Sequence, residues 1–511
     1  MAYVQLRYLR DASKISAAEP PEEAVSQMGA SLTPFRPTVT NPWDRTKAAH
    51  LLNRATFAAR PEDVERAVRQ GLNATVDELL SAAQAAEDFP PPDFTTLRSL
   101  WENVYGLARM RAPEAQRAEA RRIAFRADVE KFEEVRRWWV RRMIVSPQPL
   151  REKMVLFWHG LLVSGRPEVE HAENLYRQNE LFRRMALGNF QELILATCKD
   201  PAMLEYLDNR SNRKGRPNEN FARELLELFT LGIGNYTEQD IKEAARAFTG
   251  WTLQGFEFTF NPAWHDGGPK TFLGRTGHWD GTDIVRIIFE QPAASRYLPR
   301  RLFAFFAYPD PEDSLVEEMA AVFRRNNFEV APLLRAILTS EAFYSPRAIR
   351  TQVKSPAQLV VGTARLLELP VEMVPSLVRA MDLMGQALMA PPNVGGWPSG
   401  ERWITTSTLL VRYNFSALVL TGGMPGVAAR PQVPPPLPPG LARAVDGART
   451  ASEAVARVAQ LLGVPLDPLR QKVLLAALGV SDPQAPFNPS SADGVRAVAH
   501  LLMSSPDYQL C

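Results

Sequence analysis

The chain has 511 residues, 45% hydrophobic and 23% charged, an ordinary globular composition with apolar mass for one large domain or two to three smaller ones. Its 59 basic and 57 acidic residues leave a formal charge of +2, too small a field to gather nucleic acid or an anionic membrane. Two cysteines, Cys198 and Cys511, exclude a disulfide framework and a cysteine-based zinc site. No stretch approaches the roughly 20 consecutive apolar residues of a membrane span. The opening MAYVQLRYLRDASKISAAEPPEEAV has neither the apolar run of a signal peptide nor a twin arginine. These features imply no export signal in this sequence, hence a cytoplasmic protein or one exported with a partner.

Residues 1–43 are polar and proline-bearing and read as a weakly ordered N-terminal arm. Helical patterns begin at Asp44. AAHLLNRATFAARPEDVERAVRQGLNATVDELL contains two short helices, the second entered at Arg60-Pro61, where proline suits a first turn. His50 and Arg54, four residues apart on the first, read as a surface-facing pair. Residues 109–144 form a long helix with a stripe of Ile123, Val129, Phe132, Val135 and Trp139. Its arginines are offset by Glu119, Asp128, Glu130, Glu133 and Glu134, which makes it a solvated or helix-packing face and not a nucleic-acid track. REKMVLFWHGLLVSG is nearly all apolar, with His159 as either a satisfied core residue or a site residue.

NENFARELLELFTLG, residues 218–232, is a short helix entered at Pro217-Asn218 and left at Gly232 with Gly234. At 100° per residue Phe221, Leu225, Leu228, Phe229 and Leu231 share one arc, and Glu224 projects inside it with Glu227 at the edge. A carboxylate on a core-facing stripe needs a partner, and Arg246 or Arg184 could supply one. Glu219 and Arg223 are spaced for a first-turn ion pair. Thr237 with Asp240 forms a capping-box start for the next helix.

Residues 252–283 then change character, rich in glycine and aromatics, with FEFTF as the only strand signal, and predict one small β-hairpin or a long functional loop. PPNVGGWPSGERW is a second Gly/Pro/Trp loop feeding a helix. Residues 421–439 are a Pro-rich linker, and 440–511 a small C-terminal helical segment. The fold expected is mainly α: a large multi-helix body over 44–420 with two Gly/aromatic-rich loops.

NENFARELLELFTLG, the preceding DPAMLEYLDN, YTEQDIKEAARAFTGW, HDGGPKTFLG and PPNVGGWPSGERW together resemble the bacterial DUF1800 family, from AAHLLNRATF near residue 50 to LLVRYNF near 415. The resemblance implies a predominantly helical protein. It also implies a partner protein encoded by a neighbouring gene and bearing a twin-arginine signal, since members are often secreted and often paired in this way. Members commonly carry His-x-His where this chain has His159 and Leu161.

The chemistry concentrates in WHDGGPK, where His265, Asp266 and Lys270 sit on backbone made permissive by Gly267, Gly268 and Pro269. His159, His171, His265 and His278 all fall near the central helix in sequence. With Glu224 and Glu219 these residues could form an acid/base site, or ligands for a divalent metal, though no HExxH, nucleophile elbow or phosphate loop is present. Equally, His265-Asp266 could cap a turn and Lys270 bridge an acid. Trp251, Trp264, Trp279, Trp397 and Trp403 lie in or beside the two loops; with Arg223 they could contact a sugar polymer, or they could plug the loops onto the body. The expectation is a hydrolase-like enzyme acting on a glycan through Glu224, His265 and Asp266, with the loop over 252–283 bringing His265 or Asp266 to Glu224 or Glu219. The alternatives are a non-catalytic assembly protein that docks a partner, and a metal-dependent enzyme of another substrate class.

Overall fold

Eleven of the thirteen residues of the Pro149–Leu161 helix are buried, so this segment lies inside the body and the other helices are laid around it. The structure is a computed structural model that describes residues 31–511 except 86, 425, 430, 434, 489 and 490. Around the Pro149–Leu161 helix pack Ala172–Arg184, Leu72–Gln84, Glu114–Val145 and Arg45–Ala55. Its sequence is too apolar to be amphipathic, as a helix enclosed on all sides should be. Three of its buried residues are nonetheless charged: Arg151, Glu152 and Lys153. Glu152 is held by both edge nitrogens of Arg183, at 2.6 and 2.8 Å. Around this pair Arg142 reaches Glu180 at 3.1 Å and Glu87 at 3.0 Å, and Arg151 reaches Glu87 at 2.9 Å.

The Glu114–Val145 helix has 32 residues, about 48 Å at 1.5 Å per residue. Its second half joins the body through Phe132, Val135, Trp139 and Met143, whereas its first half buries only Ala120, Ala124 and Asp128, with the Thr95–Arg109 helix packed beside it. Two expectations are corrected here. Ile123 and Val129 belong to no buried stripe, being 44% and 41% exposed, and Asp128 is fully buried and not part of a solvated face. Ala124, Asp128 and Phe132 form one i, i+4 row, so the acid had to find donors. It accepts from Trp101 Nε1 at 2.7 Å, the Ala172 backbone N–H at 2.7 Å and Arg166 at 2.8 Å.

His50 and Arg54 are also corrected, being 3% and 1% exposed and turned inward. The part of the expected N-terminal arm over residues 1–30 lies outside the described residues. Residues 31–43 are tied down: Phe35 is buried, its N–H donates to Thr339 O at 2.8 Å, and Glu341 N–H donates to Thr33 O at 2.8 Å. After the Thr406–Thr421 helix, ended by Gly422 at φ 78°, the chain returns. Helices Pro439–Val445 and Ala492–Met503 pack on Pro356–Leu367 and Thr406–Thr421 respectively. One contiguous apolar core runs from Phe35 to Tyr508.

The mainly α class holds, but the hairpin region carries two hairpins instead of one: β1 (Trp251–Gln254) with β2 (Glu257–Phe260), and β3 (Lys270–Phe272) with β4 (Arg275–Gly277). The second turns on Leu273 and Gly274, both at positive φ (46° and 78°). Leu-Gly gives no Asn-Gly signal for such a turn, which is why the hairpin escapes pattern reading. Among the described residues no helix is long and apolar enough to cross a membrane.

Because Glu152 and Arg183 are both buried, Glu152→Ala is expected to destabilise by about 3–5 kcal/mol, the cost of stranding a buried partner charge. Arg286→Ala, on an exposed pair with Asp283 and Glu290, should cost about 1 kcal/mol or less. Urea unfolding midpoints of the two variants test the contrast.

Candidate functional site

Asn218 starts the central segment with its side chain: Oδ1 accepts from Asn220 N at 3.1 Å and Nδ2 donates to Asp208 O at 2.9 Å. The α-helix then lasts only over Asn220–Glu224 before the chain widens to a π-helix over Leu225–Thr230. Thr230 Oγ1 donates to Leu225 O at 2.5 Å, and Leu231 N donates to Leu226 O at 2.9 Å. A wheel drawn at 100° per residue fails from Leu225 onward because each π turn takes in an extra residue. Leu226 is therefore in the core and Leu228 only half-buried. Glu224, expected inside the apolar arc with an arginine partner, is half-buried and makes no hydrogen bond or ion pair with any described residue. Its pKa is raised, first by partial burial and then by the charge of Glu227, with Arg223 pulling the other way. Glu227 accepts from Tyr236 Oη at 2.7 Å.

The other expected members lie nearby but are committed elsewhere. Arg223 forks onto Glu238 at 2.8 and 2.9 Å and stands 3.8 Å from Glu219. The Gly-rich loop folds onto the Glu238–Ala247 helix, whose capping box of Thr237 and Asp240 forms as the sequence predicts. Asp240 also accepts from Leu273 N at 2.7 Å, which pins the second hairpin to the same helix start.

At the loop tip Asp266, Lys270 and the Nδ1 of His265 are used internally. His265 Nδ1 lies 2.9 Å from Thr249 O, and Asp266 N donates to Thr249 Oγ1 at 2.8 Å. Asp266 Oδ2 accepts from Arg246 Nε at 2.8 Å, and Oδ1 accepts from Gly268 N at 3.0 Å. Arg246 holds the carboxyl down at about 2. Lys270 donates to the carbonyls of Asp266 and Gly268 at 2.5 and 3.1 Å, and burial lowers its pKa. The expected meeting of His265 or Asp266 with Glu224 or Glu219 is not made by any hydrogen bond. The reason is electrostatic: Asp266 and Glu224 are like charges, whereas Arg246 on the neighbouring helix offers Asp266 a fixed donor fork.

The tryptophans plug the loops and do not pave one surface. Trp251 is buried against Phe248 and Phe258, and Trp403 is buried as well. Trp264 lies under the Arg213 guanidinium, 4.8 Å from its carbon, and Trp279 faces Arg286 at 5.7 Å. A Cβ at Gly277 would stand 2.4 Å from the Trp279 indole, so glycine is required there. Trp397 donates to Ala387 O at 3.2 Å beside Gly396, where a Cβ would meet Gly160 O at 2.5 Å. The second loop is thereby pressed onto the Pro149–Leu161 helix.

His159 is a core residue: it is 1% exposed, lies between Trp139 and Phe182, has its Nε2 3.0 Å from Asn179 Nδ2, and burial drives its pKa to about 3. Sequence reading missed a second polar chain, in which His171 Nε2 is 3.0 Å from Tyr105 Oη and its Nδ1 is 3.5 Å from Asp128 Oδ2. The apolar row through Asp128 was the available signal. Among the described residues no group of three His, Cys, Asp or Glu side chains could hold a metal ion, so neither the His265 loop nor the Glu224 turn offers a metal-binding set.

The fold and this region define a helical body carrying two short hairpins beside a π-helical turn. The chain belongs to the family described as "Protein of unknown function (DUF1800)", whose model matches residues 50–510 and so extends through the C-terminal helices. No curated protein and no solved structure matches it.

The two carboxylates predict opposite pH behaviour. Asp266 is depressed in the folded state, so its contribution is present above its unfolded pKa and lost as pH falls toward about 2. Asp266→Asn should lower the melting temperature at pH 7 and have little effect at the acid end. Glu224 is raised, so its charge disfavours the fold once pH exceeds the unfolded value of about 4.3. Glu224→Gln should leave the melting temperature unchanged at pH 4 and equal or higher at pH 7. Melting scans over pH 2.5 to 8 check both.

Proposed function

We propose that the chain is a partner-binding assembly protein, and that its partner docks on the arm formed by the Thr95–Arg109 helix and the first half of Glu114–Val145. The observation that supports this is the apolar surface there: Met110 72%, Ile123 44%, Phe125 51% and Val129 41% exposed. Phe125 and Val129, one turn apart, share a helix face, and exposed apolar residues that share a face mark contact surfaces more often than scattered ones do. Over residues 109–130 the exposed charge is five arginines (109, 111, 121, 122 and 126) against three glutamates (114, 119 and 130). The fitting partner is a protein with an apolar strip rimmed by acidic side chains, and the product of a neighbouring gene is the candidate the family resemblance offers.

One observation favours a second reading. Glu224 keeps its proton more readily than a free glutamate and has Glu227 on the next turn, which suits a general acid in glycan hydrolysis. Against this, Asp266, Lys270 and the Nδ1 of His265 are committed within the loop, and Trp251 and Trp403 are buried.

Co-expression with the product of the neighbouring gene, followed by size-exclusion chromatography with light scattering, tests the proposal. The expected result is a complex that is lost in Phe125→Ser with Val129→Ser, while the melting temperature stays within about 2 °C because both side chains are exposed. Absence of a complex with the unaltered chain would overturn it. Release of reducing ends from a glycan, abolished by Glu224→Gln, would replace it with the hydrolase reading.

A further inference from the structure

A cavity of about 350 Å³ opens between the Arg45–Ala55 helix, the Pro356–Leu367 helix, the end of Ala451–Leu462 and residues 507–511. Its volume falls at the lower end of small-ligand sites. Phe57, Val64 and Leu462 give it apolar walls, and Arg350 and Lys354 give it a cationic side. Behind that side stand three more buried cations, Arg54, Lys153 and Arg412, at 1%, 6% and 1% exposure.

Arg54, Lys153, Lys354 and Arg412 are bonded only to neutral groups. Arg54 donates to Ala348 O at 2.7 Å and to Gln352; Lys153 donates to Thr56 O at 3.2 Å and to Gln358. Lys354 donates to Tyr508 O at 2.8 Å, and Arg412 to Lys354 O at 2.9 Å and Gln509 Oε1 at 3.2 Å. Among the described residues no Asp or Glu pairs with Arg54, Lys153, Lys354 or Arg412. Asp507, the carboxylate on the cavity wall, is already taken by Arg470 at 2.5 Å and Arg350 at 3.4 Å. Cys511, whose thiol donates to Gln352 O at 3.6 Å, is the one acidic group that acts on Arg54, Lys153 and Lys354. Nδ1 of His50 and the Nε atoms of Arg54 and Arg412 are buried without a hydrogen-bond partner.

Buried cations that lack counter-charges are costly, and a core would ordinarily pair them. Burial lowers Lys153 to about 7 and Lys354 to about 8. An arginine cannot escape in the same way, because it stays charged at any working pH. Arg54 and Arg412 therefore keep a positive potential beside a cavity whose walls also accept apolar surface.

We propose that this cavity binds a small amphipathic anion, its carboxylate or phosphate head held by Lys354 and Arg350 and its apolar body lying against Phe57, Val64 and Leu462. The site lies apart from the arm proposed for partner docking and does not depend on it. An anion beside Lys354 favours the protonated amine, so binding takes up a proton where Lys354 is partly neutral. Affinity should then be greatest below about pH 7 and fall by up to about tenfold per unit as pH rises through 8. Arg350, Arg412, Cys511 and Lys153 also act on this lysine, and Arg54 acts on Lys153; Lys153, titrating near 7, steepens the same trend.

Isothermal titration of the intact chain with hexanoate, hexyl phosphate and inorganic phosphate tests the site, with the pH series run on hexanoate because its charge is constant from pH 6 to 9. The expected result is saturable binding of at least one hexyl probe, tighter than inorganic phosphate, with the preferred probe identifying the head group. Lys354→Gln should weaken binding at least tenfold and Lys354→Arg should restore it and remove the pH dependence near 8. Arg350→Gln, at a half-buried position, supplies an independent loss should Lys354→Gln fail to fold. No saturable binding by any probe, or binding unaltered in both glutamine variants, would overturn the proposal.

Discussion

A carboxylate enclosed at the centre of a helical body must meet a donor that cannot move away, and Glu152 meets it in the two edge nitrogens of Arg183 at 2.6 and 2.8 Å. Geometry of this kind fixes three helices at once, since Glu152 is on Pro149–Leu161, Arg183 on Ala172–Arg184, and Arg142, from Glu114–Val145, shares the acids around them. Sliding any one of them by a turn would leave a charge bare in low dielectric, which costs more than the apolar contacts could return. The guanidinium carbons of Arg142 and Arg183 also lie 5.5 and 5.3 Å from the Trp138 ring. The charged centre and the aromatic packing therefore prescribe the same register.

Much of the fold is legible in the sequence because its signals are local. Thr237 with Asp240 makes a capping box, Pro61 occupies a first helical turn, and Gly232 at φ 79° ends the central segment. LLRAILTSEAFYS, residues 333–345, and AVAHLLMSSPDYQ, residues 497–509, are similar in sequence and in structure: each is a helix followed by a buried tyrosine, Tyr344 or Tyr508. What stays hidden is whatever depends on partners far along the chain. Arg54 looks like a surface residue until Ala348, 294 positions away, turns out to accept from it. Asp128 looks solvated because acids usually are, and only its apolar neighbours at i−4 and i+4 say otherwise.

The π-helical turn is a different kind of failure. Periodicity assumes one angular step per residue, and the widened turn over Leu225–Thr230 breaks that assumption in the very segment on which the site was expected to be built. Glu224 leaves the core as a result, and with it goes the need for an arginine. The His265 loop was expected to be reactive because His, Asp and Lys cluster on glycine-rich backbone. In a loop of this shape the same groups are also what the backbone itself requires: Thr249, Gly268 and the carbonyl of Asp266 all need partners, and the cluster supplies them.

Two populations of charge can therefore be separated by what answers them. Glu152, Asp128 and Asp266 are each met by an arginine together with further donors, and their chemistry is exhausted in holding helices and a loop in place. Glu224 and the group of Arg54, Arg412 and Lys354 are not met by opposite charge in this way, and the fold tolerates them against its own electrostatics. Their locations differ as much as their sign. Glu224 is half-exposed, so water can relieve it and its persistence demands little of the rest of the molecule. Arg54 and Arg412 are 1% exposed, where water gives little relief, so the surrounding carbonyls must bear a cost that a neutral side chain would not impose. A burden of that kind is sustained where a binding event can lift it, which makes the buried cations beside the cavity a stronger pointer to function than the more conspicuous histidine loop.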